Sequence, residues 1–437
     1  MSLARLLALP RFLDAASGAY RPGLERVRAL LAEMGDPHER LRVVHVAGTN
    51  GKGSTASFVS AIGTASRLRV GLFTSPTLLD RAEAVRIDGV PQPEALASGA
   101  ARWMNAAERV GATYFEALTA LALDAFARAA VDLAVVEAGL GGRDDATNVV
   151  RPAVAAVTHV GLDHTRELGG TPEAIARHKA GIAKPGVPFL HALPPGAERG
   201  ALEAEAHVRD ASRVERVRET VRIEASGGSA TFTTPEAQIG PARLGLRGAH
   251  QAQNAALALR AAEVALGPLA PEAAGRGLAE VRALAGLRAR GERWAGDPRI
   301  VLDVAHNAEG WALAVEGAAA DSEASGGRLW ALVGVLDKNP APLARALAAR
   351  GVRVLAVGLP SARAVGAEPL AAALREGGAE AEAAGSVGEG LARFRREAGP
   401  GDRLLVTGSH VTVSQALAAL EGAVAFPESP RRTSSTS

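Results

Sequence analysis

Residues 43–58 read VVHVAGTNGKGSTASF. Val43–Ala47 is a short, mostly β-branched run, Gly48, Gly51 and Gly53 make a turn, and the segment after Gly53 has the composition of a helix start. A strand, a glycine-rich turn and a helix N-terminus in that order is the arrangement in which backbone N–H groups cradle a phosphate. The spelling departs from G-x-x-x-x-G-K-[ST]. Val46 stands where the first glycine belongs, and Gly53 separates Lys52 from the hydroxyls of Ser54 and Thr55.

Glycines at 48, 51 and 53, with Thr49 and Asn50 between them, allow close backbone approach to phosphate oxygens. Lys52 would neutralise β- and γ-phosphates, and the hydroxyl of Ser54 or Thr55 would reach Mg²⁺. The candidate nucleotide residues are therefore Gly48, Thr49, Asn50, Gly51, Lys52, Gly53 and Ser54. The competing reading is a turn without function. Lys52 argues against it, being one of four lysines (52, 179, 184 and 338) among 49 basic residues. In a chain that otherwise writes arginine, a lysine marks a place for a compact or titratable amine.

Outward from this stretch, strand-like runs alternate with helical ones: 42–48, 69–75, 131–139 and 153–161, each ending in glycine or a polar residue. Such alternation predicts a mainly parallel sheet with crossover helices and a ligand edge at the strands' carboxyl ends. Between 218 and 247 the texture becomes short and alternating, which predicts a small antiparallel hairpin. After a helix over 250–266, a second series follows at 299–307, 329–336, 353–360 and 402–410. The expectation is α/β throughout: an N-terminal P-loop NTPase-like domain over 1–287 and a Rossmann-like C-terminal domain over 288–425. The tail 426–437 is expected to be disordered.

Composition narrows the function. The 437 residues carry 49 Lys+Arg against 47 Asp+Glu, so the pI of about 9.3 reflects a thin arginine surplus and not a nucleic-acid stripe. Cysteine is absent, which removes disulfides, thiolate metal sites and cysteine nucleophiles. No apolar run is long enough to cross a membrane, and the first residues are too broken by Arg and Pro for a signal peptide. A cytoplasmic protein that binds neither membrane nor nucleic acid is expected, acting as a monomer.

Two further clusters carry chemistry. In VVEAGLGGRDDATN (135–148), Glu137 closes a strand before a flexible glycine run and suits a metal carboxylate. In THVGLDHTRELGGTPEAIARHKAGI (158–182), His164 lies at another strand's mouth and Lys179 follows one helix later. Alone, Glu137 reads equally well as a solvated strand-end acid, while His164 reads better as a structural histidine and Lys179 better as a solvated helix residue.

Taken together these segments resemble the folylpolyglutamate synthase and dihydrofolate synthase family of the Mur ligase superfamily. The resemblance runs through HVAGTNGKGST (45–55), FTSP (73–76), YFEALTALAL (114–123), EAGLGGRDDATN (137–148), GLDHT (161–165), HKAGI (178–182), HQAQNAALAL (250–259) and LDVAHN (302–307). It implies an ATP-dependent ligase that phosphorylates a substrate carboxylate and lets the amine of L-glutamate displace the phosphate. Dihydropteroate and reduced folates are the implied acids, the alternative being reduced folates alone; the YRP (20–22) and DDA (144–146) matches favour both. Catalysis then falls to Lys52, Glu137, His164 and Lys179. Mg²⁺, as two ions, is implied at Ser54, Ser75, Glu137, His164 and Lys179, the lysine as its carbamate. Asn254, Arg290 and Asp303 are implied ATP contacts, drawn from both domains. Pterin contacts are implied at Tyr20, Arg21 and Pro22, at Thr113, Tyr114, Phe115 and Glu116, and at Asp144, Asp145 and Ala146. Asp145 suits the pterin's amino group and ring N–H. His306 and Ser409 are implied for the incoming glutamate.

Departures from the family pattern are Thr77 for a usual histidine, ARGE (289–292) for a glycine–arginine motif, a shortened loop before Lys338, and His410 for an apolar residue. A peptidoglycan-type amino-acid ligase is the nearest rival, but only 47 residues precede Gly48, too few for its extra domain. A plain ATPase is the second rival, and a strict P-loop spelling would have favoured it.

Overall fold

The computed structural model describes residues 2–11, 22–226 and 228–423. They form two compact units: one of residues up to Thr77 together with Ala82–Leu287, the other of Leu78–Arg81 together with the chain from Arg288. The four-residue excursion 78–81 has no signal in the sequence. Ser414 donates its hydroxyl to the carbonyl of Leu78 at 2.7 Å, and Leu78 and Leu79 pack on the second unit's core.

The first unit is built on an eight-stranded sheet in the order β4-β3-β2-β5-β1-β6-β7-β8. The strands are β1 Val43–Ala47, β2 Val70–Phe73, β3 Val85–Ile87, β4 Val90–Pro91, β5 Leu133–Glu137, β6 Val154–Val157, β7 Pro188–His191 and β8 Arg213–Arg216. All pairings are parallel except β2–β3 and β3–β4. β1 and β5 are buried along their whole length, as expected of interior strands covered on both faces. Val44 and Val46 face one core with the helix Lys52–Ala65, while Val43 and Ala47 face the clusters on the other side.

That helix is buried nearly all round from Gly53 to Gly63. Helix Pro271–Ala279 crosses it so closely that a Cβ on Gly277 would lie 2.6 Å from the Ile62 Cα. The expected hairpin is a three-stranded antiparallel sheet, β9 Arg222–Ser226, β10 Ser229–Thr233 and β11 Gln238–Arg243, with β10 in the middle. Its third strand hides in the sequence because Gly240 and Pro241 interrupt it.

The second unit holds a six-stranded sheet in the order β12-β13-β17-β14-β15-β16. These are β12 Glu292–Arg293, β13 Ile300–Leu302, β14 Leu329–Val333, β15 Arg353–Ala356, β16 Glu380–Ala383 and β17 Arg403–Thr407. Only β12 runs antiparallel to its neighbour. Trp311 anchors the core on one face, Trp330 and Phe394 that on the other, with their rings edge to face at 5.9 Å. Among the described residues no helix is long and apolar enough to cross a membrane. The tail 426–437 lies outside the described residues.

Candidate active site

β1 is the strand from which the chain can turn to either side of the sheet, so its carboxyl end opens a crevice. The turn there is stitched down by its neighbour. Thr49 N–H donates to His159 O at 2.7 Å, the Thr49 hydroxyl to Gly161 O at 3.1 Å, and the Thr158 hydroxyl to Asn50 O at 2.6 Å. Two glycines are obligatory here. A Cβ on Gly48 would fall 1.9 Å from Thr158 Oγ1, and one on Gly51, at φ +84°, would fall 2.5 Å from Asn254 Oδ1. Asn254 and the loop, read from sequence segments 200 residues apart, are thus in contact. Asn254 Nδ2 donates to Gln251 Oε1 at 3.0 Å, and Gln251 in turn meets His250. The Lys52 ammonium curls over the loop, donating to the carbonyls of Gly48 and Thr49 at 3.0 and 3.3 Å. Ser54 and Thr55 are buried in the helix's first turn.

Glu137 ends β5, in register with Val46 on β1, and is 3% exposed. Its Oε2 accepts the backbone N–H of Ser75 at 3.1 Å, so the β2 and β5 loops bring two predicted metal ligands together. His164, left-handed at φ 50°, precedes the short helix Thr165–Leu168. Its Nε2 stands 3.9 Å from the Asp163 carboxylate. Lys179 sits in the last turn of helix Pro172–Ala180, and burial, then the charge of Lys52, lower its pKa to about 7; Asp163 and Asp145 oppose that in part. The charge of Lys52, on the phosphate loop, is thus felt at Lys179. Asp163 was missed by sequence reading, although it immediately precedes His164.

Among the described residues no three His, Asp or Glu side chains gather into a metal cluster. The predicted set offers one carboxylate, one imidazole and hydroxyls. Such a sparse, oxygen-rich set fits Mg²⁺, which keeps waters and takes substrate phosphates as its remaining ligands.

On the predicted pterin side, Tyr20 and Arg21 lie outside the described residues, and Pro22 is exposed. Thr113 and Glu116 form a capping box that starts helix Tyr114–Arg128. Glu116 is also gripped by Arg26, with Nη2–Oε1 at 2.7 Å and Nε–Oε2 at 3.1 Å. Phe115 lies against Gly139 and stacks obliquely on Phe73 at 5.9 Å; the Arg11 guanidinium covers the Tyr114 ring. Asp145 is buried and accepts from Leu140 N at 2.8 Å, from Thr147 N at 3.0 Å and from the Thr147 hydroxyl. Burial raises its pKa, and those hydrogen bonds pull it back. Asp144 is half-buried beside it and Ala146 is buried in the core.

In the second unit, Asp303 accepts the N–H of Gly291 at 2.8 Å and of Ala305 at 2.9 Å, which pins the Arg290 loop to β13. Ala289 is held at φ 54° and Arg290 Nη1 donates to its carbonyl at 3.2 Å. His306 Nδ1 meets Val304 O at 3.0 Å. Ser409 is buried and caps the helix His410–Glu421, accepting from Thr412 N at 3.2 Å. His410, which the resemblance left unexplained, has its pKa lowered to about 4 by burial, then by the charges of His306, Arg363 and Arg81. Arg81 comes from the 78–81 excursion.

The phosphate loop, the paired Ser75 and Glu137 and the buried Lys179 define a Mur-type ligase. Residues 46–262 match the Mur ligase middle domain and residues 289–410 the Mur ligase glutamate ligase domain. The folylpolyglutamate synthase of Lacticaseibacillus casei is 36% identical over 325 residues, covering 71% of this chain and 74% of that protein. A probable bifunctional folylpolyglutamate synthase/dihydropteroate synthase of Haloferax volcanii is 36% identical over 418 residues; the match covers 91% of this chain but 48% of that protein, so the chain spans about half of it. The structure of E. coli FolC in complex with DHPP and ADP superposes with a TM-score of 0.85 at 30% identity, covering 96% of this chain and 97% of that one. A bifunctional folylpolyglutamate synthase/dihydrofolate synthase with Mn, AMPPNP and L-glutamate bound gives 0.83 at 31%, covering 96% and 97%. The chain belongs to the folylpolyglutamate synthase/dihydrofolate synthase family of the Mur ligase superfamily.

Proposed function

We propose that the protein is a bifunctional dihydrofolate synthase/folylpolyglutamate synthase. It is an ATP-dependent ligase joining the carboxylate of dihydropteroate, or of a glutamylated reduced folate, to the amine of L-glutamate. A carboxylate is a poor acylating agent because oxide would have to leave. The carboxylate oxygen therefore attacks the γ-phosphorus, ADP departs, and an acyl phosphate forms. The glutamate amine adds to the acyl carbon, loses a proton, and the C–O bond to phosphate breaks, leaving the amide and inorganic phosphate.

The protein's share is positioning and charge neutralisation. Lys52 exchanges its hydrogen bonds to Gly48 and Thr49 for phosphate oxygens. Ser54, Ser75, Glu137 and His164 would hold Mg²⁺, which when bound neutralises charge on the transferred phosphoryl group. Lys179, with its pKa near 7, offers a substantial fraction of neutral amine at neutral pH. Such an amine can add CO₂ and lose a proton, becoming an anionic oxygen ligand for a second ion. Thr113 to Glu116 and Asp144 to Ala146 are the pterin-side residues. Asn254, Arg290 and Asp303 are the residues the family resemblance assigns to ATP, and His306 and Ser409 those it assigns to glutamate.

The observation that carries this reading is the convergence of Lys52, Lys179, Glu137 and Ser75 at one sheet edge. The test is labelled glutamate offered with dihydropteroate and with tetrahydrofolate. Both should incorporate label, and Glu137→Gln should abolish both by about a thousandfold or more. Label entering one acid only would remove half the assignment.

A further inference from the structure

His45 lies at the centre of β1, paired with Val136 on one side and Ala155 on the other, and its side chain is fully buried. Its neighbours on that face of the strand, Val43 and Ala47, belong to apolar clusters. An aliphatic side chain would pack there without desolvating a ring. The imidazole makes one hydrogen bond, Nε2 to Thr147 Oγ1 at 2.8 Å. The direction of that bond is fixed by its continuation. The Thr147 hydroxyl gives its proton to Asp145 Oδ1, so its oxygen accepts, and His45 carries its proton on Nε2. Nδ1 is then a bare acceptor, buried without a partner among the described residues. Burial and the charge of Lys184 hold the ring neutral, with a pKa lowered to about 3. A buried unsatisfied acceptor costs stability, so the return on this histidine must lie elsewhere.

It lies in the loop that Thr147 belongs to. Asp145 clasps both ends of that loop, taking the N–H of Leu140 with one oxygen and Thr147 with the other. Asn148, next along, donates to the carbonyls of Arg143 and Gly181 at 2.8 and 3.0 Å. Lys184 binds the Asn148 carbonyl and Oδ1, each at 2.7 Å. Residues 138–149 are thereby tied to the helix that bears Lys179, and through His45 to the strand that bears the phosphate loop.

We propose that His45 is a positioning residue: through Thr147 it orients Asp145 and holds the 138–149 loop in register with the phosphate loop, three residues beyond it on the same strand. The role in turnover rests on the reading of that loop as the folate side of the site; the bracing of the loop does not. His45→Leu removes the donor and keeps apolar bulk, His45→Gln restores an N–H near the Nε2 position, and Thr147→Val breaks the chain one link later. The full-length proteins are compared by steady-state kinetics and by hydrogen exchange of the peptide covering 138–149.

His45→Leu and Thr147→Val should each raise KM for dihydropteroate about tenfold, the effect of one unmade buried hydrogen bond. KM for ATP should move less than about twofold, the double variant should be no worse than either single, and His45→Gln should recover most of the loss. Exchange across 138–149 should quicken in the first two variants and return towards wild type in His45→Gln. Unchanged exchange in Thr147→Val and His45→Leu would overturn the proposal. So would a KM rise shared equally by ATP, or a His45→Gln protein no better than His45→Leu. Should wild type use neither dihydropteroate nor folates, the functional reading falls, while the exchange comparison still decides the strut.

Discussion

Lys179→Met tests the electrostatics of the site most directly. A free lysine titrates near 10.5 and Lys179 near 7. The folded pKa is the lower of the two, so between those values the unfolded chain binds a proton that the folded chain lacks. Stability must therefore rise as pH climbs through that window, and the penalty is fully present below about pH 7. At pH 7.5 the penalty comes to about 4 kcal/mol, and by pH 9.5 it shrinks to about 1 kcal/mol. Met fills a similar volume without a charge. The variant should thus be more stable than wild type by about 4 kcal/mol at pH 7.5, a gap that shrinks by more than half at pH 9.5. Lys184, lowered to about 8, titrates in both proteins and cancels in the comparison. Native-state hydrogen exchange of the peptide spanning Pro172–Ala180, in buffer free of CO₂ and metal, reads the gap at each pH for this unit alone. The same variant should have lost ligase activity. A gap equal at the two pH values, or a variant less stable than wild type at pH 7.5, would refute the reasoning.

Gly51→Ala, at φ +84° and with Asn254 Oδ1 2.5 Å from the new Cβ, should raise KM for ATP by about tenfold or more. Gly111→Ala shares the positive φ but has nothing within 4 Å, and leaves KM for ATP unchanged. Glu116→Ala removes one side of the capping box and the Arg26 pair, and unfolding in urea should show a loss of about 3 kcal/mol. A shifted folate KM at unaltered stability would instead assign Glu116 to the substrate. Ala289→Gly relaxes a left-handed alanine, and the second unit should gain about 0.5 kcal/mol, the steric relief less the entropy of glycine; a loss in urea unfolding counts against strain there.

The parallel strands were legible because a strand covered on both faces is mostly apolar, and 43–47 and 133–137 are so except at His45 and Glu137, all ten residues being buried. What the sequence hid were elements whose composition does not decide their state. Glu380–Ala383 reads EAEA, good helix formers, yet it is an edge strand. Its Glu382 is held by Arg353 and Arg393 at 2.9 and 2.8 Å, partners that only the fold supplies. β12 and β4 are two residues each, below any periodicity. The 78–81 excursion is fixed by two leucines and a single serine far along the chain, a contact without local trace.

At the site, residue type was readable and partnership was not. Glu116 and Asp145 announce a negative charge, but a carboxylate's task is set by which donors reach it. Three donors from its own loop reach Asp145, and a guanidinium and a helix terminus reach Glu116. Lysine was the exception, because its scarcity carried information before any contact was known. Three of the chain's four lysines gather around two loops: Lys52 on the phosphate loop, Lys179 repelled by it, and Lys184 bonded to Asn148 at the end of the glycine-rich loop. Arginine would fail at 179 for a reason independent of size, since a guanidinium cannot give up its proton in so buried a place. At 52 the compact ammonium donates to the carbonyls of Gly48 and Thr49. A chain that replaces lysine with arginine nearly everywhere therefore keeps it where the amine must change partner or charge, and that selectivity points to the same edge of the sheet as the geometry.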